Sequence, residues 1–190
     1  MTMAGVVLAA GAGRRFAASG GDGDKVLAIL DGRPLVAHVL AAARAVGFDE
    51  ILLVQGATDL SAEGGEGVRV LVNDHWAEGL ATSLQVAVAH AVAAGHHAVV
   101  VGLADQPAVT SEAWAAVAAT GDDPPIAVAT YDGRRGNPVR LAAAVWPRLP
   151  TTGDEGARAL MRERPDLVRE VPCTGPSWDV DTVEDLDRWS

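Results

Sequence analysis

Aromatic residues make up only 4% of this 190-residue chain, and it has a single cysteine, Cys173. A lone thiol rules out an internal disulfide framework, so a reducing cytoplasm is the expected compartment and Cys173 reads as a small buried residue. Long apolar runs are also missing. The longest, such as residues 98–103, fall far short of the ~20 residues a membrane span needs. No basic stretch leads into an apolar segment and cleavage site at the N-terminus, so no secretory signal is expected. Positive charge is in the minority, with 15 Lys and Arg against 25 Asp and Glu and a formal net charge of −10. A nucleic-acid partner, which usually meets a basic face, is therefore not expected. The five histidines lack H-x-x-x-H spacing, and His96 and His97, just before a strand-like run, are expected at the surface or an edge rather than on zinc.

What remains is 49% apolar and 21% charged, the balance of a globular domain. Residues 1–190 fit one domain, because a single core serves chains up to roughly 200–250 residues. Short, nearly all-apolar runs at 6–8, 51–54, 68–72, 98–103, 126–130 and 167–171 read as strands. Helical spacing marks 34–47, 82–94, 110–119 and 154–164, with a last helix from 182. Thr110 is a candidate N-cap, and Thr182-x-x-Asp185 resembles a capping box. Residues 58–67 read as a loop. Residues 132–136 (DGRRG) read as a turn into a returning edge segment at 138–141, since proline suits an edge. Strands alternating with helices predict an α/β three-layer sandwich, Rossmann-like, with a mostly parallel mixed sheet. Ligands in such sheets bind beyond the carboxyl ends of the strands, which singles out residues 11–15, 73–83, 104–107 and 179–181.

The first of these is a glycine-rich loop carrying cations: Gly11, Gly13, Arg14, Arg15 and, after a stretch reading SGGDGD, Lys25. It is no P-loop, lacking G-x-x-x-x-G-K-[ST], and no dinucleotide fingerprint, since Phe16 stands where the third glycine belongs and Asp31 reads as a turn residue. Glycines that let backbone N–H groups approach phosphate oxygens, with Arg15 and Lys25 gripping a triphosphate, fit better. Asp105 lies just past the fourth strand; by residue type it fits either a Mg²⁺ ligand or a turn residue before Pro107. Asp179 and Asp181, two apart, project from one face of an extended segment. Trp76 reads as a core aromatic.

The loop Leu8-Ala9-Ala10-Gly11-Ala12-Gly13-Arg14-Arg15-Phe16 followed by Lys25 resembles the signature of nucleotidyltransferases that join an NTP to a phosphate. Five later segments resemble, in order, one branch of that group, the MobA-like NTP transferases, and within it the molybdenum cofactor cytidylyltransferases. These are Asn73-x-x-Trp76-x-x-Gly79-Leu80-x-Thr82-Ser83-Leu84, Leu103-Ala104-Asp105-Gln106-Pro107, the stretch 131–139 (YDGRRGNPV), Gly153-Asp154-x-Gly156-Ala157-Arg158, and Asp179-Val180-Asp181-Thr182. The resemblance implies a nucleotide-diphospho-sugar-transferase type of fold and transfer of CMP from CTP to the phosphate of a molybdopterin-type cofactor, with Mg²⁺ and release of pyrophosphate. Arg15, Lys25 and Asp105 would be catalytic, and Asp105 and Asp181 would hold the metal. Leu8, Ala9, Ala10, Gly11, Gly13, Arg15, Lys25, Gly79, Leu80, Ser83 and Asp105 would bind the nucleotide. Asn137, Pro138, Gly153, Asp154, Gly156 and Arg158 would meet the acceptor. Ala10, where the guanylyl branch tends to carry glycine, points to cytidine. The alternatives are another NTP, a sugar 1-phosphate or other small phosphate acceptor, or a carrier that hands cofactor to a recipient molybdoenzyme without catalysis. The stretch at 18–24 departs from the family pattern.

Overall fold

Apolar runs of three to six residues are too short to make helices of useful length, but as strands they can be buried on both faces. In the computed structural model, which describes residues 2–189, they build the centre of the molecule. In chain order the elements are β1 (Met3–Ala9), α1 (Arg14–Ala18), β2 (Ile29–Leu30), β3 (Arg33–Pro34), α2 (Leu35–Arg44), β4 (Glu50–Gln55), α3 (Ser61–Gly64) and β5 (Val68–Val72). Then come α4 (Leu80–Ala94), β6 (Ala98–Leu103), α5 (Ser111–Ala118), β7 (Ile126–Tyr131), β8 (Arg134–Ala142), α6 (Ala157–Glu163), β9 (Val168–Pro172) and α7 (Val183–Trp189). Seven strands form one sheet in the order β5-β4-β1-β6-β8-β7-β9, and β2 and β3 form a separate hairpin. Within the large sheet only β8 runs antiparallel to its neighbours, β6 and β7. The mostly parallel mixed sheet of an α/β sandwich is therefore what the alternating pattern predicted.

Side chains leave each strand alternately, and the two faces make two cores. Val6, Leu8, Leu52, Val54, Val99 and Val101 pack with Leu84 and Val88 of α4, Trp146 and Met161 on one face. Val7, Ile51, Leu53, Val100 and Ala127 pack with Val39 and Leu40 of α2 and with Trp114 and Val117 of α5 on the other. Trp114 is fully buried. Its truncation to alanine would cost about 3–5 kcal/mol.

Local signals held where they are chemical. Thr110 Oγ1 accepts from the Ala113 N–H at the start of α5. Asp185 N–H donates to Thr182 Oγ1 while Asp185 Oδ2 accepts from the Thr182 N–H, which makes a reciprocal cap for α7. Asp31 and Gly32, both at positive φ, form the turn of the β2–β3 hairpin.

Several expectations need correction. The turn between β7 and β8 is only Asp132-Gly133, both at positive φ, so Arg134, Arg135 and Gly136 belong to β8 rather than to a loop. Nor is β8 an edge: it lies between β6 and β7, and Pro138 is tolerated because the β6 ladder stops at Val139 and the β7 ladder shifts register between Val128 and Thr130. The helix expected over 154–164 starts at Ala157, after Gly156 at φ 51°; that at 82–94 starts at Leu80, and 61–64 is a helical turn within the expected loop. His96 is buried rather than at a surface, and Cys173 is only partly buried.

Candidate active site

At the carboxyl end of β1 the chain leaves the sheet through residues 10–13. Gly13 has φ 58°, and a Cβ there would lie 2.8 Å from Lys25 Cβ, so the loop seats directly on the stem of Lys25. The short helix α1 that follows carries Arg15. Residues 18–24 then return the chain to Lys25, and Ser19 Oγ accepts from the Val183 N–H at 2.9 Å, tying this return to α7. Asp105 stands two residues past β6. Its carbonyl accepts from the Val180 N–H at 2.9 Å, which lays the 179–181 segment alongside.

These paths bring four charges together. Lys25 Nζ is 2.6 Å from Asp105 Oδ2 and 3.2 Å from Asp181 Oδ1, and Arg15 Nη1 is 2.7 Å from Asp181 Oδ2. Lys25 and Asp105 are separated by 80 residues in sequence, and Lys25 and Asp181 by 156. The Lys25 side chain is 13% exposed and that of Arg15 77%, so the ammonium is enclosed whereas the guanidinium, paired with Asp181, lies open to solvent. Burial by itself would lower the Lys25 pKa, but attraction and hydrogen bonding from Asp105, then Asp181, raise it above 10.5. Asp179 is pushed up chiefly by burial, against the hydrogen bond from Gln106, with added repulsion from Asp105 and Asp181.

One atom of the cluster is unsatisfied. Asp105 Oδ1 is buried and has no hydrogen-bond partner, a costly state for a carboxylate oxygen. Lys25 acts as a built-in cation on the other oxygen. The donor set therefore suits a hard divalent ion bound by Asp105 and Asp181. Among the described residues no group of three or more His, Cys, Asp or Glu side chains could hold a metal. Such an ion would complete its shell from phosphate oxygens and water, the habit of Mg²⁺.

A cavity of about 220 Å³ opens beside this cluster. Its wall includes Leu8, Ala9, Ala10, Gly11, Gly13, Lys25, Gly79, Leu80, Ser83 and Asp105, together with Trp76 and Asp154. Every residue expected to meet the nucleotide is thus on this wall except Arg15, which lines an adjoining recess of about 140 Å³ with Gly13, Lys25 and Asp181. Behind the wall, Asn73 Nδ2 donates to Thr82 Oγ1 and Ser83 Oγ, both at 2.9 Å, and Asn73 Oδ1 accepts from the His75 N–H. That buried amide gives a physical reason for the Asn73…Ser83 spacing. Gly79 sits at φ 110° and a Cβ on it would come within 2.5 Å of the Gly153 carbonyl, while Gly153 O accepts from the Ala81 N–H. Only glycine lets these two loops clip together.

A second cavity, of about 240 Å³, shares Leu8, Leu80 and Leu103 with the first and is reached by Asn137, Gly156 and Arg158. Of the other residues expected at the acceptor, Asp154 faces the first cavity, and Pro138 and Gly153 line neither. Gly153 is also not at a helix start, since α6 begins at Ala157 and has seven residues. Two site residues escaped the sequence reading. Trp76 is part of the cavity wall rather than of the core, and its place in the Asn73-x-x-Trp76 spacing was the available signal. Gln106, buried, accepts from Asn137 Nδ2 at 2.9 Å and donates to Asp179 Oδ1 at 2.5 Å, linking the second cavity to the carboxylate cluster. Its place in the Leu103-Ala104-Asp105-Gln106-Pro107 segment was the available signal.

Comparison with known proteins gives the family and the fold. Residues 5–168 match the MobA-like NTP transferase domain. The nicotine blue oxidoreductase of Paenarthrobacter nicotinovorans is 33% identical over 198 residues, which cover 97% of this chain and 94% of that protein. Among solved structures, Rv0371c of Mycobacterium tuberculosis H37Rv in complex with manganese is 29% identical, with a TM-score of 0.81 over 100% of this chain and 98% of its own. A nucleotidyl transferase from Methanothermobacter is 25% identical, with a TM-score of 0.83 over 98% of this chain and 95% of its own.

Proposed function

The chain belongs to the MobA-like NTP transferase family, and from that premise we propose that it transfers CMP from CTP to the phosphate of a molybdopterin-type cofactor, releasing pyrophosphate. Nucleotidyl transfer as such is what the family and the fold support. The observation that carries the reading is the convergence of Lys25, Arg15, Asp105 and Asp181 at the mouth of a glycine-walled cavity.

Each group has a task in this chemistry. Backbone N–H groups of residues 11–13 approach the triphosphate, which glycine permits. Arg15 and Lys25 hold its oxygens, with Arg15 the exposed partner that closes on them. Asp105 and Asp181 would hold Mg²⁺, which when bound neutralises charge on the phosphates. An oxygen of the acceptor phosphate attacks the α-phosphorus in line, the bond to the β-phosphate oxygen breaks, and pyrophosphate leaves with that electron pair. Reactions of this kind need positioning and charge neutralisation more than a covalent nucleophile. Ser83, held by Asn73, and Leu80 line the first cavity, where they would face the base.

The test is pyrophosphate release with Mg²⁺, molybdopterin-type cofactor and each NTP in turn. Turnover with CTP alone is expected. Turnover only with a sugar 1-phosphate, or with another NTP, would replace the acceptor or the base. A second reading has one observation in its favour: the 33% identical relative is named an oxidoreductase. It predicts nicotinamide binding, which a fluorescence titration with NADH measures directly. Saturable NADH binding with no pyrophosphate release would favour it over nucleotidyl transfer.

A further inference from the structure

Asp154, expected at the acceptor, stands on the wall of the first cavity and not of the second, although its neighbours Glu155 and Gly156 line the second. The loop that carries it is fixed. Gly153 N–H donates to Glu78 O at 3.0 Å and Gly153 O accepts from the Ala81 N–H at 2.9 Å, so the chain is pinned one residue before the carboxylate. A Cβ on Gly79 would lie 2.8 Å from Asp154 Oδ1, which sets that oxygen directly over the glycine. The carboxylate itself has no hydrogen bond or ion pair among the described residues.

Its place along the cavity follows from the other walls. Gly13, Lys25 and Asp105 make the ionic end. Trp76 and Ala10 mark another end: a Cβ on Gly56, just past β4, would meet their Cβ atoms at 2.6 and 2.8 Å. Beyond Leu80 the second cavity opens over an aliphatic floor of Leu84, Val101, Val139 and Met161. Asp154 therefore stands at the seam between the two cavities. Because no three carboxylates or histidines among the described residues could hold a metal, it is not a third ligand beside Asp105 and Asp181.

We propose that Asp154 reads the sugar of the nucleotide: its carboxylate accepts hydrogen bonds from the ribose hydroxyls and makes the site select ribonucleotides over deoxyribonucleotides. The inference rests on the nucleotidyl-transfer reading for its ligand, and assigns Asp154 to the nucleotide rather than to the acceptor. A triphosphate on the cations and a base towards Trp76 leave the sugar between them. An acceptor entering through the second cavity meets the α-phosphorus, and hence the adjoining ribose, at the seam. The chemistry agrees. An ionised carboxylate only accepts, and its two oxygens suit the two neighbouring hydroxyls of a ribose. Turned to phosphate it would repel; turned to hydroxyls it recovers the hydrogen bonds it loses from water. Other α/β nucleotide sites place an acid on a ribose hydroxyl for the same reason.

The test is the affinity of the intact chain, with Mg²⁺ and no acceptor, for CTP and for 2′,3′-dideoxy-CTP, measured calorimetrically. Without an acceptor, transfer does not consume the ligand. Wild type should prefer CTP about 10–100-fold, the worth of a hydrogen bond to a charged group. Asp154→Ala should bring that ratio close to one, and Asp154→Asn, which keeps one accepting oxygen, should hold it in between. The ratio is the quantity to read, since removing a negative charge also eases the approach of the triphosphate and moves both affinities together. The preference for CTP over UTP, which differ in the exocyclic amine of the base, should stay as in wild type. An unchanged ribose ratio in Asp154→Ala returns the residue to the acceptor side. Loss of CTP-over-UTP preference with the ribose ratio intact assigns it to the base. Either result overturns the proposal. The same ratio can be read with whichever NTP binds most tightly, so a chain that uses another base tests Asp154 equally. Ribose selection that Asp154→Ala removes, in a chain that releases no pyrophosphate, upholds the site and overturns the reaction; turnover with an unchanged ratio does the reverse.

Discussion

Two ionic clusters stand at opposite ends of the same three parallel strands, β4, β1 and β6, and they use their lone pairs differently. At the amino end, Glu50 accepts from Arg69 Nε at 2.7 Å on one oxygen and pairs with His90 Nε2 and His96 Nε2, each at 3.0 Å, on the other. Burial would raise its pKa, but hydrogen bonds from Arg69, His96 and His90 hold it down to about 2. The atom left bare there is His96 Nδ1, a ring nitrogen that costs less to bury than a carboxylate oxygen. At the carboxyl end, Asp105 shares Lys25 with Asp181 and leaves Oδ1 bare. A carboxylate with both oxygens paired has nothing to offer a ligand and serves the fold. One with a bare oxygen forgoes stability and is open to a ligand.

That contrast is sharpest in activity. Lys25→Ala or Asp105→Asn should lower pyrophosphate release per folded molecule by ~10²–10³-fold, the usual effect of losing one preorganised charge. Near-normal turnover in either variant would dissolve the distinction. At the other end, Glu50→Gln should leave turnover per folded molecule unchanged and cost about 1–3 kcal/mol of stability at pH 7. The sign follows from the depressed pKa: the stabilisation is present above the ordinary value of 4.5 and is lost as pH falls towards about 2, so mutant and wild type should converge in acid urea melts. A Glu50→Gln chain with the same gap at pH 7 and pH 2 would contradict this. Lys25 as a stand-in cation gives a smaller effect. Without nucleotide, Lys25→Met should bind Mn²⁺ several-fold more tightly than wild type in a paramagnetic titration, because the ammonium no longer competes for Asp105 and Asp181. Smallest of all, Arg69→Ala should cost only ~0.2–1 kcal/mol, since that side chain is mostly exposed.

The strands were legible because burial on both faces leaves a run with almost no polar residues, as at residues 98–103 and 126–130. The caps at Thr110 and Thr182 were legible because a cap is a local hydrogen bond within three residues. The insertion of β8 between β6 and β7 was not, since its proline matched an edge and only the register shift that accommodates it removes the conflict. The burial of His96 was hidden for a similar reason: its partner, Glu50, lies 46 residues away. In the candidate site, loop and strand-end position marked Gly11–Lys25 and Asp105, and family resemblance marked the second carboxylate. Trp76 was misplaced into the core because aromatic character alone does not say which side of a wall a ring faces.

The chain's own order of residues determined the α/β class, the phosphate-type loop and the identity of the charges, because these depend on spacing along the backbone and on side-chain type. Only the tertiary structure decided which charges meet, which carboxylate oxygen goes bare, and that a second cavity with an aliphatic floor adjoins the first. Those are properties of strand order and of contacts between residues far apart in the chain, 156 positions for Lys25 and Asp181, and electrostatics and desolvation act through space rather than along the chain.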